Sequence, residues 1–423
     1  MDKNKRLTVW LPVIIAASIA LGIFIGNHYL SISQGKKRSY SSGNKINAIL
    51  DIIDEQYVDT VSMSKLVEST IPKIFSELDP HSVYIPAEDA SVVNEELEGS
   101  FSGIGVSFNM QTDTILVISV ISGGPAEKAG LLPFDRIISI NDSIFSGKKK
   151  NQGEIMKTLR GAKNSTVKLG VQRGNSPELL YFDVTRGDVP VNSVDVSYEA
   201  AKGIGYIKVS KFARNTYNEF ITAIAKLKQA GCTSFVIDLR GNTGGYMDAA
   251  INMINEFMPE GRLIVYTEGK SFPRSDVYAN GTGTCKDAPI VVLTDEISAS
   301  ASEIFSGAIQ DNDRGTIIGR RTYGKGLVQT QMSLSDGSEM RLTIARYYTP
   351  SGRCIQKKYE MGNTDAYDQD IYNRYMHGEF DSADSIKMDD SLKYQTVGGR
   401  TVYGGGGIMP DIFIPRDTSG VTS

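Results

Sequence analysis

Short apolar runs alternate with helically spaced stretches between residues 202 and 319, and this alternation constrains the fold more than any other feature. KGIGYIKVSKF (202–212), SFVIDLR (234–240), RLIVYT (262–267), IVVLT (290–294) and TIIG (316–319) read as strands, SFVIDLR as a buried one. Between them, 215–230 is an amphipathic helix, 246–258 a second helix and about 300–311 a third, while GNTGG at 241–245 supplies a glycine turn. Strands alternating with helices predict an α/β core with a largely parallel sheet.

At 423 residues the chain is long for one domain,. The predicted limits are 1–26 for an apolar N-terminal segment, 27–44 for a polar tether and 45–98 for a helical region. A strand-rich module follows at 99–186, then the α/β core at 187–415 with a Tyr-, Asp- and Gly-rich insert at about 357–403, and a tail at 416–423. The insert reads as a surface excursion, with a lid or an oligomer contact as alternatives. A net charge of −4 gives no pointer to nucleic acid,. Three cysteines, Cys232, Cys285 and Cys354, are too few for a disulfide framework,. No CxxC or His/Cys cluster suggests a metal site, and no other cofactor is expected.

Within the core, the stretch 294–330 (TDEISASASEIFSGAIQDNDRGTIIGRRTYGKGLVQT) concentrates hydroxyls and one isolated lysine. A serine is a poor nucleophile until a base takes its proton. The three histidines, His28, His81 and His377, all lie far from it in sequence, although folding can bring His81 in. Lysine is the other candidate base, because burial disfavours its charged form and lowers its pKa. Gly324 and Gly326 let backbone approach Lys325 closely and leave a pocket around its amine,. On spacing alone a plainer reading stays open: a Ser/Ala-rich helix entry followed by a surface lysine in a glycine turn.

SASASE (298–303), QD (310–311) and TYGKGLVQ (322–329) resemble the active-site blocks of the C-terminal processing peptidases, also called tail-specific proteases. The resemblance implies Ser300 as nucleophile, Lys325 as base and Gln329 as the residue that orients the lysine. The 25-residue serine-to-lysine interval agrees with the family pattern, and Tyr323 stands where Phe is usual. DLRGNTGG (238–245) resembles the family's second block and implies an oxyanion hole made by the amides of Gly245, with Gly244 beside it, and Ala301. A strand-end turn and a helix start both present unpaired amides. The implied core is crotonase/ClpP-like. Asp238 and Arg240 are read as a brace for the sheet end, and Asp311 and Arg314 as packing residues. Glu303 complements the helix dipole and is not the base. His81, in LDPHSVYI (78–85), is read as a turn residue closing a helix.

The module at 99–186 resembles a PDZ domain. SGIGVSF (102–108) is similar to the loop whose amides hold a peptide's terminal carboxylate, which implies Gly103, Ile104, Gly105 and Val106 as peptide-binding residues,. ISGGPAEKAGLLPFDRIISIND (121–142) and GEIMKTLRGAKNSTVKLGV (153–171) resemble the next PDZ blocks, with Phe134 in place of a common glycine. The tail would enter as an added strand, its last side chain against Ile104, Val106 and Ile155.

Lys3, Lys5 and Arg6 precede an uncharged run over 7–26, LTVWLPVIIAASIALGIFIG. About 20 residues suffice to span a bilayer core. No small-x-small site closes the run, so an uncleaved anchor is expected rather than a cleaved signal peptide. The basic flank predicts a cytoplasmic N-terminus, and hence a single-pass bacterial-type inner-membrane protein with its body in the periplasm or otherwise outside the cytoplasm. The expected function is a serine endopeptidase that cuts exported proteins near their C-termini, with the PDZ domain recognising the tail. The alternative is a membrane-tethered PDZ tail-binding scaffold with an inactive core, and a crotonase-type acyl-CoA enzyme is a third reading. Expected partners are polypeptides with free C-terminal tails and the membrane, but no nucleic acid; a homo-oligomer or an adaptor protein stays open.

Overall fold

The computed structural model describes residues 16–21, 23, 42–111, 114–144 and 152–417. The chain divides into two compact units, Met1–Thr70 and Ile71–Ser423. The first holds the helix Ser42–Gln56, and the boundary falls inside the helix Met63–Ser76.

The expected membrane span is corrected by the structure. Among the described residues, no helix is long and apolar enough to cross a membrane. Of 7–26 only 16–21 and 23 are described, and the rest of that run lies outside the described residues. Six consecutive helical residues rise about 9 Å, against a hydrocarbon core of about 30 Å. The transmembrane helix, the membrane as a partner and the single-pass inner-membrane placement with a periplasmic body are therefore not supported.

In the larger unit, five parallel strands form the central sheet in the order Ile204–Val209, Ser234–Asp238, Ile290–Thr294, Thr316–Gly319 and Ile412–Phe413. Val194–Ala201 pairs antiparallel at one edge. Ile207, Ile237, Val292 and Ile317 fall in register across four of these strands, and all four are fully buried. A row of branched side chains covered on both faces is what a parallel sheet needs. The helices Thr216–Gln229, Met247–Asn255 and Ala301–Asp311 contribute to the same apolar core. Phe257 lies at its centre, edge to face with Phe220, Phe235 and Phe305. Phe305 sits on the helix Ala301–Asp311, every residue of which is buried.

The RLIVYT run departs from the parallel layer. It forms the strand Leu263–Glu268, which pairs antiparallel with Ser275–Tyr278 and Glu339–Tyr348. Glu339–Tyr348 also takes Val83–Ile85 and Leu327–Ser333 as antiparallel neighbours. This second sheet carries the residues that follow Lys325.

The PDZ-like module is an antiparallel sheet of Val106–Gln111, Thr114–Val120, Arg136–Ile140, Thr166–Gln172 and Leu180–Thr185. Its own core includes Ile104, Val117, Ile137, Ile155, Leu169 and Val184. Phe134 adopts φ 70°, so a bulky residue occupies the left-handed turn position where glycine is usual,.

The insert is not only a surface excursion. It forms the helices Thr364–Asp368 and Asp370–Met376 and a short hairpin, Lys393–Gln395 with Thr401–Tyr403. It buries Tyr367 and Arg374, and Arg374 donates to the carbonyls of Arg321 and Thr322 just ahead of the Lys325 loop.

Candidate active site

Ser300 is the residue at which the strand-end loop becomes the helix Ala301–Asp311. Its backbone has φ 56° and ψ −113°, a region that side-chain-bearing residues avoid, so surrounding bonds must hold it there,. They are numerous. The Ser300 amide donates to Glu303 Oε2 at 2.8 Å. The Ser300 carbonyl accepts from the amides of Glu303 and Ile304 at 2.8 and 2.9 Å. Ser298 Oγ donates to the Leu239 carbonyl at 2.8 Å, and Ser302 Oγ to the Asn242 carbonyl at 2.9 Å. The other serines of the block thus stitch it to the glycine turn.

That turn is pressed against the helix start. A Cβ on Gly244 would lie 2.7 Å from the Ala299 carbonyl oxygen and 2.7 Å from Ser300 Cβ. One on Gly245 would lie 2.1 Å from the Phe212 carbonyl oxygen. Both glycines also have positive φ, 104° and 141°. No side chain fits at either position. The Gly244 amide is taken by Asn242 Oδ1 at 2.8 Å. Among the described residues no acceptor takes the amide of Gly245 or of Ala301.

Lys325 enters from the loop 322–326. Glu303, fully buried, accepts from Thr322 Oγ1 at 2.6 Å, from the Gly324 amide at 2.7 Å and from the Lys325 amide at 2.8 Å, as well as from Ser300. Tyr347, also buried, donates through one hydroxyl shared between the Ser300 carbonyl at 3.1 Å and the Lys325 carbonyl. One carboxylate therefore spans the two amides and one phenol the two carbonyls. Burial lowers the Lys325 pKa below its ordinary value, and the nearby Arg341 charge lowers it further, against Glu303 and Asp79. Burial pushes the Glu303 carboxyl up to about 7, opposed by its four hydrogen bonds.

Gln329 sits at an irregularity in the ladder between Leu327–Ser333 and Glu339–Tyr348. Its Nε2 donates to the His81 carbonyl. His81 does not line the cleft; its Nε2 meets the Tyr367 hydroxyl at 2.7 Å, and burial followed by the Lys325 charge lowers its pKa to about 4. Asp79 secures the turn by accepting from Ser82 Oγ and Thr343 Oγ1 at 2.5 and 2.8 Å.

A cleft of about 660 Å³ brings Ser300, Lys325, Gln329 and Gly245 together, with Ile304 and Tyr347 also on its wall. Ala301 lies behind Ser300, its amide near Gly244. Of the PDZ candidates, Ile104, Gly105 and Val106 line a separate cavity of about 250 Å³, walled by Met156 and Leu159. Gly103 instead pairs with Gly187 in a short ladder, and Ile155 is buried in the PDZ core. Asp238 bonds Arg240 at 2.6 Å, together with Tyr206 and Lys208. Asp311 forms a fully buried pair with Arg353 at 2.7 Å, while Arg314 donates to three carbonyls.

Sequence reasoning assigned no role to Tyr347 or Tyr367 and gave Glu303 only the helix dipole. Tyr347 opens the run YYTPSGR (347–353) and Glu303 is a first-turn carboxylate, but the contacts span 47 residues for Tyr347 with Ser300 and 22 for Lys325 with Glu303.

A family model described as peptidase family S41 matches residues 203–365, and one described as a PDZ domain matches 102–195. The chain is 35% identical over 318 residues to the carboxy-terminal processing protease CtpB of Bacillus subtilis (strain 168), covering 74% of this chain and 66% of that protein, just under two thirds. It is 33% identical over 365 residues to a probable CtpA-like serine protease of Staphylococcus aureus (strain N315), covering 84% and 72%. Among solved structures it is similar to a photosystem II D1 C-terminal processing protease, with 25% identity, a TM-score of 0.44 and coverage of 89% and 94%. The chain belongs to peptidase family S41, among the carboxy-terminal processing serine proteases, and carries a PDZ domain.

Proposed function

We propose that this chain is a serine endopeptidase that cuts polypeptides near their C-termini with a Ser300–Lys325 dyad. The observation that carries this reading is the double bridge by which Glu303 and Tyr347 hold the two residues' backbones on one cleft. In its neutral form, which burial favours, Lys325 accepts the Ser300 proton as Oγ attacks the scissile carbonyl,. The free amides of Gly245 and Ala301 take the developing negative charge. Protonated Lys325 then gives its proton to the departing amine nitrogen as the C–N bond breaks, and water hydrolyses the acyl ester on Ser300. With its Nε2 held by the His81 carbonyl, Gln329 leaves Oε1 to accept from the Lys325 amine. The PDZ groove at Ile104, Gly105 and Val106 takes the substrate tail as an added strand,.

On this proposal the PDZ domain occupies 99–186 and the core 187–415, and the core is a crotonase/ClpP-like arrangement in which a glycine turn and a helix start offer paired amides. The tail-binding scaffold with an inactive core gains no support from the comparisons. The direct test is cleavage of an unstructured polypeptide with a free C-terminus by the wild type and by Ser300→Ala and Lys325→Ala. Loss in both supports the dyad; full activity in either removes it.

A further inference from the structure

The catalytic cleft contains a second cation that the mechanism does not use. Arg341, on the strand Glu339–Tyr348, lines the cleft together with Ser300 and Lys325. Its Nε donates to Gln331 Oε1 at 3.0 Å, and Nη2 donates to Asn94 Oδ1 at 3.3 Å. Both acceptors are neutral amides. Each is oriented in turn by Glu339, which accepts from Asn94 Nδ2 at 2.9 Å and from Gln331 Nε2. The negative charge thus stands one residue removed, behind two amides that fix the guanidinium in place.

Among the described residues, no carboxylate forms an ion pair with Arg341, and Nη1 has no recorded acceptor. Among the described residues, no carboxylate lines the cleft either. Among the described residues on its wall, Arg341 and Lys325 are the two basic side chains, and burial and Arg341 itself both oppose the charge on Lys325. A guanidinium presents a rigid fork of donors matched to a carboxylate. Held in advance by two amides, it would meet an incoming anion at little ordering cost.

We propose that Arg341 is a specificity-determining residue that takes a carboxylate of the bound polypeptide inside the catalytic cleft. The carboxylate belongs either to an acidic side chain near the cut or to the chain's own C-terminus. The proposal rests on the peptidase reading above. The same charge that would attract the substrate also opposes the protonated form of Lys325.

The experiment uses the full chain and paired peptides that differ by one carboxylate. One pair compares a free C-terminal acid with its amide; others compare Glu with Gln at single positions on either side of the cut. Binding is measured by fluorescence anisotropy on the Ser300→Ala variant, with and without Arg341→Gln or Arg341→Lys. The PDZ groove's own preference for a free C-terminus is the same with and without Arg341, so only the part of each advantage that Arg341→Gln removes is assigned to Arg341. In one pair the carboxylate peptide binds about tenfold more tightly, as expected for a charge-assisted contact. Arg341→Gln lowers that advantage by about tenfold and Arg341→Lys retains part of it. An advantage that is absent, or unchanged by Arg341→Gln, overturns the proposal.

Cleavage by the chain with Ser300 intact separates the alternatives. If Arg341→Gln only moves the pH profile, equally for all peptides, Arg341 acts through Lys325 alone and the proposal is wrong. Carboxylate-dependent binding without any cleavage would sink the peptidase reading and leave Arg341 as a ligand-binding residue.

Discussion

The glycine turn at 241–245 and the glycine loop at 103–106 both lie on cavities and both open backbone to an incoming chain, but they are held very differently. In the core turn, a Cβ on Gly245 would penetrate the Phe212 carbonyl, and one on Gly244 would strike Ser300 itself. In the PDZ loop, a Cβ on Gly105 would stand 3.4 Å from Pro125 and Val189, an ordinary contact, and only the φ of 76° disfavours a side chain. Proposed chemistry and proposed recognition account for this contrast. An oxyanion hole must hold its donors to within tenths of an ångström. A groove that adds a strand tolerates adjustment along its length.

The largest expected effect tests whether the rigid region performs chemistry at all. Ser300→Ala and Lys325→Ala should each lower kcat/KM on an unstructured tail by about 10³-fold or more. The thermal midpoint should stay within a few degrees, and an active variant would end the comparison by leaving the rigid region without a task.

Gly245→Ala addresses the tightness of the turn directly. Its expected outcome is a loss of about 10²-fold in kcat, with circular dichroism separating damage to the hole from damage to the fold. A near-silent Gly245→Ala would show that the core turn is as forgiving as the PDZ loop.

Glu303→Gln sharpens the comparison by loosening the bridge without emptying it. One carboxamide oxygen replaces two carboxylate oxygens that serve four donors, so kcat should fall by about tenfold to a hundredfold with KM little changed,. The sign of its pH effect follows from burial. The folded-state pKa, about 7, lies above the ordinary value of 4.5. The folded protein therefore binds the extra proton, and the associated stability is full below about pH 4.5 and lost as pH rises through about 7. Melting curves across that window should show wild type losing stability relative to Glu303→Gln. Activity runs in the opposite direction, because Lys325 must be neutral: kcat/KM should rise with pH through its lowered pKa,.

The smallest effect is expected from Gly105→Ala. Forcing alanine into a left-handed backbone costs about 1–2 kcal/mol, with no atom in the way. KM for a tailed substrate should rise severalfold and kcat should hold. A large loss of kcat would mean that the PDZ loop is coupled to the dyad as tightly as the core turn is.

The residues carrying the proposed reaction were readable because each belongs to a contiguous block: SASASE, GKG and DLRGNTGG. Local pattern also placed the helix that starts at Ser300 and the glycine turn that faces it. What was unreadable depends on contacts far apart in the chain. RLIVYT has the look of one more parallel strand, yet it pairs with Glu339–Tyr348 in the other sheet. Tyr367 lies in an insert with little periodicity, and only folding sets its hydroxyl on His81, whose carbonyl in turn holds Gln329. The apolar run at 7–26 satisfies a span by composition, but no described helix there has the length to cross.

Composition and short motifs determined which functional groups are available, because nucleophile, base and glycine turns are encoded within a few residues each. Tertiary structure alone decided how they are held. A buried carboxylate and a buried phenol each bond Ser300 and Lys325 at once, and an arginine faces the cleft with no ion-pair partner among the described residues. Burial and long-range hydrogen bonding set a lysine's pKa and a serine's strained backbone, and neither quantity exists until the chain has folded.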